Sequence, residues 1–175
     1  MKRLLGKKVL MVIANSKFRD EEYLEPRKAL ETEGARVTVA SSSLEMAVGM
    51  LGLKVKPDML ISAVKEPDYD GIVFVGGVGA REYFDSPVAH ALARSFHGHG
   101  KVTSAICIAP AILANAGLLK EKKATSFPSS EEALRLKGAV FTKEDVVIDG
   151  KIVTGVGPEA AKKFGERLVE ALSGK

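Results

Sequence analysis

One residue in this chain has the side chain of a strong nucleophile. Cys107 is the single cysteine among 175 residues, and it stands in Ala105-Ile106-Cys107-Ile108-Ala109. An apolar run, Val102 to Ile106, leads into it, and a helical pattern, Ile108 to Ala116, leads away. A nucleophile elbow sets its central side chain on a sharp strand-to-helix turn, so the residues two before and two after approach each other and must be small. Ala105 and Ala109 meet that requirement, with alanine where hydrolases more often carry glycine. The amides and the positive end of the following helix would favour thiolate over thiol. The same residues also suit a buried cysteine acting as a small hydrophobe. Thr103-Ser104 before the turn and Pro110 in the first helical turn favour the elbow.

A second feature bears on the same chemistry. Gly76-Gly77 ends another apolar run, Gly71 to Val75. If the strands at 71–75 and 102–106 are neighbours, the glycine pair lies beside Cys107. Gly76 and Gly77 then allow a backbone N–H to face the sulfur, making with the Ile108 amide an oxyanion-type pocket. A glycine turn needed only for packing fits the residues too. Gly77-Val78-Gly79 is not a dinucleotide fingerprint, because Glu82 stands where a third small residue belongs. No phosphate-loop Gly-Lys-Ser/Thr run occurs either, so no cofactor is expected. One cysteine excludes an internal disulfide framework and a multi-thiolate zinc site. His90, His97 and His99 fall on or after one predicted helix without a convincing third ligand, so no metal is expected.

The elements that must hold these residues alternate along the chain. Continuous apolar runs at Val9–Ala14, Gly71–Val75 and Val102–Ile106 read as strands covered on both faces, and Arg36–Ala40 alternates as a further strand. Helical patterns run from about Glu21 to Glu33, closed by Gly34, and from Pro87 to about His97, closed by Gly98 and Gly100. Between Ser41 and Asp70 the pattern is irregular, with an excursion at Val48–Val55 and a short strand at Met59–Ser62. Asp149-Gly150 between two apolar triplets predicts a hairpin with a type I′ turn. Pro158 opens a closing helix carrying Phe164, Leu168 and Leu172 at intervals of four. Repeated strand–helix–strand units predict a single α/β domain over 1–175, with a mostly parallel sheet and helices on both faces. In such sheets function gathers at the carboxyl ends of the strands, and three exits stand out: Asn15–Glu22, Gly76–Ala80 and Cys107.

Composition narrows the setting. Hydrophobic residues at 46% and charged residues at 27% are ordinary for a globular domain. The longest early apolar run is too short to span a bilayer, which predicts a cytoplasmic protein without a membrane partner. The net charge of +4 is spread among carboxylates. Lys120, Lys122 and Lys123 form the one dense basic cluster and lack interleaved aromatics, so no nucleic-acid partner is expected. Asn15 and Asn115 are the two asparagines and glutamine is absent, a bias that suggests a heat-adapted host.

Taken in order along the chain, these residues resemble the ThiJ/PfpI superfamily. Glu22-Tyr23-Leu24-Glu25-Pro26 resembles its segment in which an acid four before a proline reaches the cysteine. Val75-Gly76-Gly77 resembles its glycine-pair loop, and Ala105 to Pro110 its elbow. Ala124-Thr125-Ser126-Phe127-Pro128 and Gly157-Pro158 resemble two later landmarks. The resemblance implies a flavodoxin-like domain of the class I glutamine amidotransferase-like type, forming a homodimer or a higher homo-oligomer. It also implies a reactive, oxidisable Cys107 thiolate that accepts a hydrogen bond from a protonated Glu22. A carboxylic acid beside an anion stays neutral by avoidance of like charge. By residue pattern alone, Glu22 is one acid among Asp20, Glu21 and Glu25 on a helix surface.

Three positions depart from the family. Peptidase-type members place histidine where this chain has Ile108; deglycase-type members place histidine at Phe127 and arginine at Val156. The chain therefore keeps the cysteine, the acid and the amide pocket without an evident histidine base. The expectation is cofactor-free, cysteine-dependent handling of small reactive carbonyls, glyoxalase- or deglycase-like, in stress protection. A non-enzymatic redox sensor or chaperone built on an oxidisable Cys107 is the first alternative. An intracellular cysteine peptidase is the second, and a pseudoenzyme with a structural Cys107 the last.

Overall fold

In the computed structural model, which describes residues 1–174, the chain runs in order through β1 (Lys8–Val12), β2 (Ser16–Phe18), α1 (Asp20–Thr32), β3 (Arg36–Ser41), β4 (Ala47–Gly49), β5 (Lys54–Val55), β6 (Met59–Leu60) and β7 (Gly71–Phe74). It continues through α2 (Pro87–Gly98), β8 (Val102–Ile106), α3 (Pro110–Asn115), β9 (Lys123–Ala124), α4 (Glu131–Leu136), β10 (Val140–Phe141), β11 (Val146–Asp149), β12 (Ile152–Gly155) and α5 (Ala161–Ser173).

The central sheet has seven strands in the order β11-β12-β8-β7-β1-β3-β6. All neighbours are parallel except β11 and β12. From β1 the chain crosses through α1 to β3 on one side, and from β7 it crosses through α2 to β8 on the other. Right-handed crossovers in opposite directions put α1 and α2 on opposite faces of the sheet. Accordingly α5 packs on α1, while α3 packs on α2. The strands are apolar at both faces because both are covered, and Val9–Val12, Gly71–Phe74 and Val102–Ile106 are buried throughout. Phe18, Phe74, Phe96 and Phe164 are the largest side chains of the core.

Two close contacts fix the helices that bear on the site. A side chain at Gly165 would strike Ala29 and Pro26, so its glycine lets α5 press against α1. Pro26 sits inside α1 and cannot donate to the Glu22 carbonyl four residues back, which loosens the helix at that turn. Gly34 ends α1 in the left-handed region at φ 96, as its position in the sequence predicts.

The structure corrects one expectation of turn geometry. The hairpin at 146–155 forms, but Asp149 pairs with Ile152, so Gly150 and Lys151 are the central residues. Gly150 has φ 61 and Lys151 is not in the positive region. That is the arrangement of a type II′ turn, with the glycine first, rather than type I′. The 41–70 segment makes its excursion as the strip β2-β4-β5 beside the main sheet. The short strand there ends at Leu60, and a turn of 3₁₀ helix follows over Ile61–Ala63. Among the described residues no helix is long and apolar enough to cross a membrane.

Candidate active site

The sheet order reverses at β1, so a crevice opens between the carboxyl ends of β1 and β7. The three exits singled out from the sequence meet there. The Arg19 N–H donates to the Gly76 carbonyl at 2.9 Å, tying the β1 exit to the glycine pair. Gly77 has φ 101, and a side chain on it would run into the backbone at Lys17, Phe18 and Arg19. Glycine is thus required twice at that residue, for its conformation and for the close approach of the β2 segment.

Cys107 follows β8 directly and has φ 67, one of three non-glycine residues in the left-handed region among the described residues. Such strain at a functional side chain is the mark of an elbow. Its N–H is held by the Gly155 carbonyl at 2.9 Å, and its carbonyl accepts from the Phe127 N–H at 2.7 Å. Ala105 and Ala109 are both fully buried beside it. The helix after the elbow is shorter than its pattern predicts, six residues from Pro110, so its dipole contributes little.

Glu22 is fully buried on the first turn of α1, and neither carboxyl oxygen makes a hydrogen bond of good geometry. The groups that face it are the Cys107 thiol and the Gly76 N–H. A methyl group added to Gly76 would lie 2.6 Å from Cys107 Cβ and closer still to Glu22 Oε1. The two side chains therefore converge on the space left open by that glycine. The N–H groups of Gly77 and Ile108 face the sulfur from the other side. All residues predicted for the site, Cys107, Glu22, Gly76, Gly77 and Ile108, come together in one place.

Burial sets the charge state of the pair. It pushes the Glu22 carboxyl up to about 8, against the pull of the facing Cys107 thiol and of Arg19. Burial, with the Glu22 carboxylate second, pushes the Cys107 thiol up to about 12, against the donors Gly77 and Ile108. Burial thus favours the protonated form of both groups. That direction suits the neutral Glu22 that the family resemblance implies and works against the resting thiolate that it implies, since the sulfur leaves water with only two amides and a short helix to offset the loss.

The cavity above Cys107 has a volume of about 190 Å³. Arg19 and Val78, from the exits singled out in the sequence, and Phe127, at the histidine position of deglycase-type members, stand in its wall, together with Met50 and Arg81, which no motif marked. Arg19 is held by Glu21, with Nη2 to Oε2 at 2.9 Å. Met50 arrives on the turn between β4 and β5, which Asp20 anchors by accepting from the N–H groups of Leu51 and Leu53, both at 2.9 Å. No pattern in sequence ties Asp20 to a loop thirty residues later. Among the described residues no histidine lines this cavity, and no three His, Cys, Asp or Glu side chains gather as metal ligands do.

The model of the DJ-1/PfpI family matches residues 7–171. The chain belongs to that family. Among relatives, a protein of uncharacterised function from Methanocaldococcus jannaschii is 43% identical over 168 residues, covering 94% of this chain and 82% of the other. A deglycase of Pyrococcus horikoshii is 32% identical, covering 94% of this chain and 99% of its own. Among solved structures, a ThiJ/PfpI domain protein from Brachyspira murdochii superposes with a TM-score of 0.94 at 34% identity, covering 97% and 99% of the two chains. Membership of the DJ-1/PfpI family agrees with the flavodoxin-like, mostly parallel architecture.

Proposed function

We propose that this chain converts small reactive carbonyl compounds by covalent catalysis at Cys107, a glyoxalase- or deglycase-like activity that protects against carbonyl stress. The observation that carries the proposal is the approach of a fully buried Glu22 to the elbow cysteine, which itself lines a small cavity. At about 190 Å³ the cavity falls below the roughly 300 Å³ at which pockets for drug-sized ligands begin. A three-carbon carbonyl compound suits it better than a peptide. Relatives named as deglycases in Pyrococcus horikoshii and Pyrococcus furiosus support the same class of substrate.

The chemistry needs no cofactor. As Cys107 Sγ bonds to the aldehyde carbon of methylglyoxal, its proton passes to the Glu22 carboxylate, and the carbonyl electron pair moves onto oxygen beside the Gly77 and Ile108 amides. Glu22 returns that proton to the oxygen, giving a hemithioacetal and freeing its carboxylate. Glu22 then carries the C1 proton to C2 while the C1 hydroxyl proton passes to the C2 oxygen, which yields a thioester; water then releases lactate and the free thiol. Carbon is oxidised at C1 and reduced at C2 within one molecule, so no external oxidant or reductant enters. Ile108 follows the cysteine and no histidine lines the cavity among the described residues, which favours carbonyl chemistry over a Cys–His peptidase.

The test is methylglyoxal consumption with lactate detection. Wild type is expected to form lactate and Cys107→Ala to form none. Equal rates in the two proteins would remove Cys107 from the chemistry and with it this proposal.

A further inference from the structure

Two arginines that the chemistry above does not use stand in the wall of the Cys107 cavity. Arg81 lies on the short helical turn after Gly77, lines both this cavity and the adjoining one at Asp85, and is exposed. Its guanidinium makes no ion pair with any carboxylate among the described residues. Arg19 approaches from the β2 side. Its Nε and Nη2 are taken by Glu21, whereas Nη1 has no partner among the described residues. One carboxylate thus answers two guanidinium groups at the rim. Glu22, the other acid at this point, faces the sulfur from below and is buried.

The remaining wall gives that surplus charge its effect. Met50, Val78, Ile108, Phe127 and Pro158 are apolar, and Ser129 is the one uncharged polar side chain beside them, so few dipoles compete for a bound anion. A guanidinium presents a planar fork of donors that fits the paired oxygens of a carboxylate or phosphate, and is more weakly hydrated than an ammonium. Where histidine stands in deglycase-type members, this chain has Phe127, and the cations it offers the cavity are the two arginines.

We propose that the Cys107 cavity selects carbonyl compounds carrying an anionic group, carboxylate or phosphate, which Arg81 holds with help from Arg19 while the carbonyl lies over the sulfur. This rests on Cys107 being the attacking group, as in the proposed function, but not on turnover.

Because Cys107 is the single cysteine, alkylation rates measured by intact mass report the site alone. The ratio of the rate constants for iodoacetate and iodoacetamide, at one pH and low salt, cancels the reactivity of the thiol and leaves the preference for negative charge. The ratio is expected to exceed that of N-acetylcysteine under the same conditions. It should fall about 10-fold in Arg81→Ala, partly recover in Arg81→Lys, and drop below the free thiol in Arg81→Glu. A wild-type ratio equal to that of N-acetylcysteine and indifferent to Arg81 would overturn the proposal, even if methylglyoxal is turned over. Conversely, a charge-selective cysteine without methylglyoxal turnover would sustain it while the neutral-carbonyl activity fails. Protection of Cys107 from iodoacetamide by inorganic phosphate assigns a phosphate group, and protection by acetate assigns a carboxylate; protection by neither counts against the proposal.

Discussion

At Cys107 two effects of opposite sign meet, and the same side chain, Glu22, takes part in both. Burial favours the protonated thiol, yet in the proposed reaction the neighbouring carboxyl takes that proton as the sulfur attacks. Glu22 accepts it only when ionised, so turnover should climb with pH toward about 8 and level off above, and Glu22→Gln should lose the climb. Loss of a general acid–base group of this kind lowers the rate by about 10²- to 10⁴-fold. Stability should move the other way. The folded state keeps a proton that the unfolded chain sheds near 4.5, so Glu22's contribution is complete below 4.5 and is lost as pH rises through about 8. The slope is at most about 1.4 kcal/mol per pH unit, and denaturant unfolding of Glu22→Gln across that range should show it flattened. Gly76→Ala is the complementary test at this scale. Its methyl group would press on Cys107, Glu22 and the Ile106 carbonyl together, and the last is fixed in β8. A cost of about 1–3 kcal/mol and a loss of cysteine reactivity are expected in thermal unfolding and alkylation.

The start of α1 is where the element scale shows most. Arg19, Asp20, Glu21 and Glu22 are consecutive, and each turns to a different task. Arg19 reaches the cavity, Glu21 steadies Arg19, Glu22 meets the cysteine, and Asp20 anchors the turn that brings Met50 to the cavity wall. A helix rotates successive side chains by about 100°, so Asp20, Glu21 and Glu22 point three ways, while Arg19 precedes them in extended backbone. Asp20→Ala would leave the Leu51 and Leu53 amides without their acceptor, at about 0.5–1.5 kcal/mol for each part-buried bond. Faster amide exchange confined to 49–53, with the central sheet unchanged, is the expected result by hydrogen exchange. Protection equal to wild type would mean the turn is held by its own strand pairing.

Over the whole molecule, chemistry and anchoring occupy opposite ends of the sheet. The site lies at the carboxyl ends of β1, β7 and β8. At the other end, Glu66 before β7 accepts from Lys101 Nζ at 2.8 Å just before β8, and pairs with His99. Burial alone would raise the Glu66 carboxyl, but Lys101 and His99 hold it below its ordinary value. Its stabilisation is present above the unfolded value of 4.5 and is lost as pH falls through the lower, folded one. Glu22 acts above 4.5 and Glu66 below it, so the pH of maximum stability should fall near 4.5, on the acid side of neutrality. Chemical unfolding from pH 3 to pH 9 would locate that maximum. Lys101→Ala should cost stability above about 4.5, where Glu66 is ionised and paired, cost little at the acid end where that pairing is already lost, and leave cysteine alkylation unchanged, since it lies far from the crevice.

The sequence by itself determined the strands, because runs such as Gly71–Val75 and Val102–Ile106 have no polar face and must be covered twice. It also determined the elbow, since a small–apolar–Cys–apolar–small run between strand and helix is a local geometry with local requirements. Glycines marked where backbones close up, and the order of landmarks linked Glu22 to Cys107 across 85 positions that no periodicity spans. Tertiary structure alone decided three things. Desolvation set the protonation of the pair, because solvent exposure belongs to the packed surroundings and not to the residue. The hairpin turn moved by one residue, because strand register is chosen by the partner β8 as well as by the turn. Arg19, Met50, Arg81 and Phe127 became one wall because four separate loops converge at the switch in strand order. Such convergence is a property of chain crossings, and no local stretch of sequence contains it.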